Sequence, residues 1–381
     1  MSLNTPSPER PRTLEEAKQW MLQRLESRFH PMNALNLKDG PQEIAGVPSL
    51  DGQSWGGYWG SLGDQALEAS AQAQKSGRHS EAKELLEKAT GLYFIGRFPC
   101  PNHPAKQRCA QAERETYLAL SHYWVEPIER VEVPFQGKAG EGSSVPILIR
   151  RPREKAMPPV VIMWGGVDAC KEQMTAACNA LLAKGIATVA MDNAGTGESP
   201  VRGVVDAHRQ FLAVMDWVDS QSDWRGKRVG LLGRSFGGYW ATKLAYLVPE
   251  RIAGAVNWGG GAHFMFQPEW IAASRYPDSY LMELVETRSL MLGAGNDDEY
   301  IAFFKRLSLL DQGLLDQPSA PLLLVNGKED RQCPVADIHL LTEHGSPKTV
   351  RFFPGGHMGL TPQTLPTIVD WLAAQVQGAT P

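Results

Sequence analysis

From residue 129 onward the chain alternates two patterns. Short apolar runs cover residues 131–135, 145–150, 159–164, 186–192, 228–232, 253–258, 321–326 and 349–353. Between several of them, at 172–184, 239–247 and 365–376, apolar positions recur every three to four residues. The first pattern predicts strands and the second predicts helices. The first two runs are joined by a Gly/Ser-rich stretch at 137–144 and predict a hairpin. The later runs are continuously apolar, as in strands buried on both faces. Strands alternating with helices imply an α/β fold: a mostly parallel sheet covered by helices on both faces.

Residues 1–128 read differently. Residues 1–12 predict a loose arm. Thr13 and Glu16 have capping-box spacing, and Leu14, Ala17, Met21 and Leu25 then share one helical face. Residues 31–54 are rich in Gly, Pro and Asn and predict irregular structure. Two amphipathic segments, 61–75 and 80–93, follow, with Gly77 placed to end the first and Ser80 to cap the second. A third helix is expected over 104–123. This helix–turn–helix has no second copy in the chain, so an array of repeats is not expected. The division is therefore a helical region over 1–128 and a catalytic domain over 129–381. Residues 259–317 are too long for one crossover and predict helices at the mouth of the site.

The chemistry centres on Gly233-Arg234-Ser235-Phe236-Gly237. An apolar run precedes it and a helical pattern follows, so Ser235 falls on a sharp strand-to-helix turn. Such a turn exposes a nucleophilic hydroxyl, and glycines on either side avoid collisions with strand and helix. With the strand order, this is an α/β-hydrolase arrangement, which needs an acid and then a histidine on later strands. The run ending at Asn326 leads to Gly327-Lys328-Glu329-Asp330, so Asp330 is the expected acid, with Glu329 as its competitor. The last run leads through Gly355-Gly356 to His357, the expected base. Two backbone N–H groups should form an oxyanion hole: that of Phe236, and that of Gly166 or Val167 in the loop after residue 164. His263 follows a strand end and is a further candidate for the pocket. Trp55, Trp59 and Trp270 would suit an aromatic pocket, although core packing accounts for each of them as well.

Other features narrow the reading. The net charge of −4 gives no basis for nucleic acid or an anionic membrane as partner. The N-terminus lacks the apolar core of a secretory signal, and no apolar run reaches membrane-spanning length, so a cytoplasmic location is expected. Five cysteines, scattered and without a Cys-x-x-Cys pair, fit free thiols in a reducing compartment; Cys170 and Cys178 read as small buried residues. The segment from Asp192 to Ser199 is glycine-containing but lacks the Gly-Lys-Ser/Thr of a phosphate loop, and Asp192 reads as structural. No residue cluster has metal-ligand spacing, and neither metal nor cofactor is expected.

Gly165-Gly-Val-Asp168, Lys171-Glu172, Asp192-x-x-Gly195-x-Gly197-x-Ser199 and Gly233-Arg-Ser-Phe-Gly-Gly-Tyr-Trp240 together resemble one branch of the α/β-hydrolases. It contains 2,6-dihydroxypseudooxynicotine hydrolase, the polyketide-shortening hydrolases of fungal pigment pathways and the fermentation–respiration switch esterases. The resemblance implies a helical N-terminal cap over a Ser–His–Asp site. It also implies hydrolysis of a carbonyl compound, either at a carbon–carbon bond next to a carbonyl in a β-diketone or aryl ketone, or at an ester. Acyl transfer or cyclisation is a further outcome of the same chemistry, and a binding protein without catalysis is the reading from another class. Asp168 and Glu172 match the branch's loop as candidate substrate contacts, with Lys171–Glu172 as a helix-start ion pair the alternative. A homodimer through the N-terminal helices rests on the resemblance alone.

Overall fold

The computed structural model describes residues 10–154 and 156–378. The chain divides into two compact units, one of Arg10–Ile128 with Tyr280–Thr287, the other of residues 129–279 and 288 onward. Among the described residues no helix is long and apolar enough to cross a membrane.

In the first unit, α1 (Leu14–Glu26) starts at the expected capping box: Thr13 and Glu16 cap each other's backbone N–H groups. Residues 31–54 are not irregular throughout. They contain α2 (Gly40–Ala45), and α3 (Gly52–Lys75) begins well before residue 61, with Asp51 accepting the Ser54 N–H at 2.9 Å. Intrinsic propensity disfavours a helix through Gly56, Gly57, Gly60 and Gly63. Packing overrides it. A Cβ at Gly56 would come within 2.7 Å of the Ala105 carbonyl carbon, and one at Gly63 within 2.6 Å of Tyr93. The missing side chains let α4 (His79–Arg97) and α5 (Pro104–Ser121) pack closely on α3. Ser80 does not cap α4, because that helix starts one residue earlier, after Arg78; Gly77 does end the preceding turn, at φ 71°. Trp55 and Trp59 are fully buried in this unit, Trp55 donating Nε1–H to the Ile95 carbonyl at 2.7 Å. The returning segment Tyr280–Thr287 is tied in by an ion pair between Lys106 and Glu283.

The second unit holds an eight-stranded sheet: β1 (Glu129–Pro134), β2 (Ser144–Arg150), β3 (Val160–Trp164), β4 (Ala187–Met191), β5 (Val229–Arg234), β6 (Ile252–Trp258), β7 (Leu322–Gly327) and β8 (Thr349–Phe353). Its order is β1-β2-β4-β3-β5-β6-β7-β8. β2 runs antiparallel to both neighbours and all the other pairs are parallel. The helices are α6 (Thr175–Leu182), α7 (His208–Ser220), α8 (Gly237–Leu247), α9 (Pro268–Ala273), α10 (Leu284–Leu292, entering from the first unit), α11 (Asp297–Lys305), α12 (Val335–Glu343) and α13 (Thr364–Gln377). α6 and α13 pack together on one face of the sheet, and α7 and α8 on the other. Gly230 and Gly254 are paired across β5 and β6, and make room for α13: a Cβ at either would lie within 2.8 Å of Val376 or Gln375. With helices on both faces, the central strands are buried throughout, as their unbroken apolar runs predicted.

Candidate active site

Every group of the site sits beyond the C-terminal end of a parallel strand, where carbonyl-rich strand ends give way to helix N-termini. β5 ends at Arg234, and Ser235 turns the chain at φ 54°, a left-handed conformation that costs a side chain about 1–2 kcal/mol. Its N–H donates to the Trp258 carbonyl at 2.7 Å, and its carbonyl accepts from Gly238 at 2.8 Å, so neighbouring strand and helix hold the strain in place. The turn closes only with glycine on either side. A Cβ at Gly233 would stand 2.1 Å from the Gly237 carbonyl oxygen, and one at Gly237 would stand 2.2 Å from that of Gly165.

Ser235 Oγ lies 2.7 Å from His357 Nε2, and His357 Nδ1 lies 2.8 Å from Asp330 Oδ2. Asp330 Oδ1 accepts the N–H groups of Gln332 at 2.7 Å and Cys333 at 3.1 Å, which orient the buried carboxylate. An ionised carboxylate only accepts, so His357 carries its proton on Nδ1 and presents Nε2 as the acceptor for the serine hydroxyl. Glu329, the competing acid, is exposed and takes no part. The histidine loop is fixed from below. Asn326 Oδ1 accepts from Gly327 at 2.8 Å and from Met358 at 3.0 Å, while Trp258 Nε1–H donates to the Met358 carbonyl at 2.7 Å. These two residues were not singled out from sequence. The available signal for Asn326 was a polar residue near the end of an apolar run, as Asp192 also is.

The loop after β3 runs against the nucleophile. A Cβ on Gly166 would fall 3.0 Å from Ser235 Oγ, so the backbone of this loop passes close beside the serine hydroxyl. Phe236, at the N-terminal end of α8, brings its own N–H to the same turn. Val167 and Asp168 follow, both half-buried. Lys171, fully buried, anchors the far end of the loop. Its ammonium contacts Asp192 and Glu198 at 2.7 Å and Glu172 at 3.4 Å, and its N–H donates to Asp192 at 2.9 Å. Burial opposes the ammonium, but Asp192, Glu172 and Glu198 outweigh it and raise its pKa. Glu198 is likewise penalised by burial, yet bonds from Arg130 and Lys171 pull its pKa down to about 2. Lys171 and Glu172 do form an ion pair, but as part of a larger network in which Asp192 is structural.

The remaining candidates lie further out. His263 Nδ1 is 2.7 Å from Ser308 Oγ, with Gln267 at 3.1 Å, so its partners belong to the segment after β6 and not to the triad. Trp270 is buried, its Nε1–H directed at the Gln332 carbonyl at 3.4 Å. From the same segment, Phe266 and Phe304 pack on Phe236 at 6.2 and 6.0 Å between ring centroids, giving the site an aromatic flank. Two groups bring ligand-type atoms within 4.8 Å: Asp330, Cys333 and His357, and Cys170, Glu172 and Asp192. In the first, burial and the Asp330 charge push the Cys333 thiol up, away from thiolate, and the other two are bonded to each other. In the second, Lys171 already supplies the cation.

A model of the family described as esterase FrsA-like matches residues 51–377. The chain is 29% identical over 225 residues to 2,6-dihydropseudooxynicotine hydrolase of Paenarthrobacter nicotinovorans, covering 58% of this chain and 57% of that protein. It is 24% identical over 335 residues to esterase FrsA of Photobacterium profundum, covering 84% and 76%. The first of these relatives is thus matched over little more than half its length. Among solved structures, the crystal structure of 2,6-dihydroxy-pseudo-oxynicotine hydrolase superposes with a TM-score of 0.73 at 22% identity, covering 95% of this chain and 97% of that one. Wild-type AbyA5 superposes at 0.72 and 22% identity, covering 97% and 99%. At that identity both show a common fold.

Proposed function

The chain belongs to the FrsA-like esterase family, and from that premise we propose that it hydrolyses a small-molecule carbonyl compound through Ser235, His357 and Asp330. The observation that carries the proposal is the unbroken hydrogen-bond chain from Oγ through the imidazole to the carboxylate. His357 Nε2 takes the hydroxyl proton as Oγ attacks the carbonyl carbon. The N–H of Phe236 and that of Gly166 or Val167 receive the tetrahedral oxyanion. His357 then returns the proton to the leaving group. Water, activated by the same imidazole, releases the acid and restores the hydroxyl. Such a chain also argues against a role in binding alone.

The favoured bond is a carbon–carbon bond next to a carbonyl, in an aromatic or β-diketone substrate. There the leaving group departs as an enol or arene and needs its proton from His357 before it can separate. A flank of Phe236, Phe266 and Phe304 suits an aromatic leaving group. The name of the Paenarthrobacter relative, a pseudooxynicotine hydrolase, points the same way. The second reading is a carboxylesterase or an acyl-transfer enzyme, in line with the esterase FrsA relatives. The helices of residues 10–128 act in this reading as a cap that selects substrate, and a homodimer would be read by light scattering.

The test is mass spectrometry of products from aryl β-diketones and simple aryl esters, for the wild type and Ser235→Ala. Cleavage of the diketones to an acid and a ketone or arene, absent in Ser235→Ala, is expected. Ester cleavage alone would replace the favoured reading by the second. Turnover retained in Ser235→Ala would overturn the nucleophile.

A further inference from the structure

β6 carries none of the three catalytic groups, yet its end bonds to the segments that carry all of them. Trp258 closes the strand. Its carbonyl accepts the Ser235 N–H at 2.7 Å, and its indole Nε1–H donates to the carbonyl of Met358, one residue past His357, also at 2.7 Å. The next residue, Gly259, donates its N–H to the Val325 carbonyl at 2.8 Å, in the strand that leads to Asp330. Gly259 also backs the histidine itself. Its φ is 81°, and a Cβ there would fall 2.7 Å from Met358 Cγ and 3.3 Å from His357 Cε1.

The backbone bonds among these survive a change of side chain. The indole bond does not, and it falls on the strained point of the histidine turn. Met358 has φ 67° and ψ −4°, a left-handed conformation that a residue with a side chain keeps only where its surroundings hold it. Two side chains do so: Asn326 Oδ1 accepts the Met358 N–H at 3.0 Å, and Trp258 holds the carbonyl. Trp258 and Met358 are both buried, so a carbonyl that loses this donor is left unsatisfied and the turn gains by moving. His357 directly precedes Met358, so its imidazole moves with the turn, while Ser235 stays bonded to the Trp258 carbonyl. The 2.7 Å contact between Oγ and Nε2 then opens. A misplacement of about 1 Å between reacting groups costs about 10²-fold in rate.

We infer that Trp258 is a positioning residue for the reaction. Its carbonyl holds the Ser235 turn and its indole N–H holds the His357 turn, so this one residue sets the separation of nucleophile and base. This rests on the hydrolase reading and adds to it a residue that does not touch the reacting atoms. Burial of the ring alone would need only an aromatic side chain at this position, and phenylalanine would serve. The N–H is what the positioning role requires.

The experiment reads the serine without a substrate. A fluorophosphonate labels an activated serine as Oγ displaces fluoride from phosphorus and passes its proton to His357 Nε2. Labelling rates against probe concentration give the maximal inactivation rate and the half-saturating concentration separately, and mass spectrometry of the labelled peptide, with Ser235→Ala as the blank, confirms the site. In Trp258→Phe the maximal rate should fall by about 10- to 100-fold, with half-saturation within about twofold of the wild type. In a His357→Ala background the same change should alter the slow residual rate by less than about twofold, because Trp258 acts through a base that is no longer there. A residue needed only for folding or for probe contact would keep its effect in that background. Should Trp258→Phe not fold, as thermal unfolding would reveal, 3-benzothienylalanine at position 258 gives the same reading, since it keeps the bicyclic shape with sulfur in place of N–H. A maximal rate within threefold of the wild type in the folded variant, or the full loss repeated in the His357→Ala background, would overturn the inference and leave the hydrolase standing. A wild type that takes no label at Ser235 would overturn the hydrolase reading itself, and the role of Trp258 with it.

Discussion

Asp330→Asn is the substitution whose outcome the geometry determines most closely. Oδ1 of Asp330 accepts two backbone N–H groups, from Gln332 and Cys333, and Oδ2 accepts from His357 Nδ1 at 2.8 Å. An asparagine can keep only one arrangement. With its carbonyl oxygen toward the two backbone donors it keeps both bonds, and its NH2 faces His357. With the amide turned over, its NH2 would face two N–H groups, losing two buried hydrogen bonds at about 1–3 kcal/mol each. The first arrangement wins. His357 Nδ1 must then accept, so the proton moves to Nε2 and points at Ser235 Oγ, 2.7 Å away. The imidazole can no longer take the serine proton, and the carboxylate that would stabilise the imidazolium is gone. In a serine protease the corresponding change costs about 10⁴-fold in kcat, and the same mechanism gives about 5 kcal/mol of lost transition-state stabilisation here. The assay is initial rates from pH 6 to 9 on the best substrate of the product panel, with Glu329→Gln alongside. The expected result is a loss of about four decades in kcat for Asp330→Asn and a change of less than about twofold for the exposed Glu329. Asp330→Asn within tenfold of the wild type, or Glu329→Gln falling as far, would refute the assignment.

Three further outcomes follow from the same site. Gly166→Ala puts a methyl 2.8 Å from Ser235 Cβ and 3.0 Å from Oγ; kcat should fall by about 10²-fold or more through displacement of the oxyanion donors, and an unaffected kcat would place the oxyanion loop elsewhere. Lys171→Met leaves Asp192, Glu172 and Glu198 without their shared cation; breaking such a buried network costs about 3–5 kcal/mol, to be read as a loss of at least several degrees in the unfolding temperature, and a shift under one degree would count against it. Glu198 has a depressed pKa of about 2 against an ordinary 4.5, so its stabilising contribution is complete above pH 4.5 and is lost as the pH falls toward 2; Glu198→Gln should lessen the loss of stability across that window, and an identical acid profile would contradict the assignment.

Much of this molecule was legible in the chain because the relevant signals are local. Unbroken apolar runs marked the parallel strands, and Gly-x-Ser-x-Gly between an apolar run and a helical pattern located the turn at Ser235. The positions of Asp330 and His357 followed from strand order, since each lies just past the end of a run. Helix boundaries in the N-terminal region were less legible. α3 begins at Gly52 despite four glycines in its first half, because those glycines are contact points for α4 and α5, and propensity carries no information about a neighbour. The return of Tyr280–Thr287 to the first unit was hidden for the same reason: the Lys106–Glu283 pair joins residues far apart in sequence.

The sequence by itself determined the α/β class, the order of strands and helices, the serine turn and the strand ends that carry Asp330 and His357. All of these depend on the spacing of residues close along the chain. Only the tertiary structure brings the Asp330 carboxylate, and not that of Glu329, to His357, because this depends on which carboxylate two backbone amides hold toward the ring. It alone gathered Lys171, Asp192 and Glu198 into one network. Whether a charge has a partner is a property of positions in space, and residues separated by tens to hundreds of others meet only once the sheet has closed.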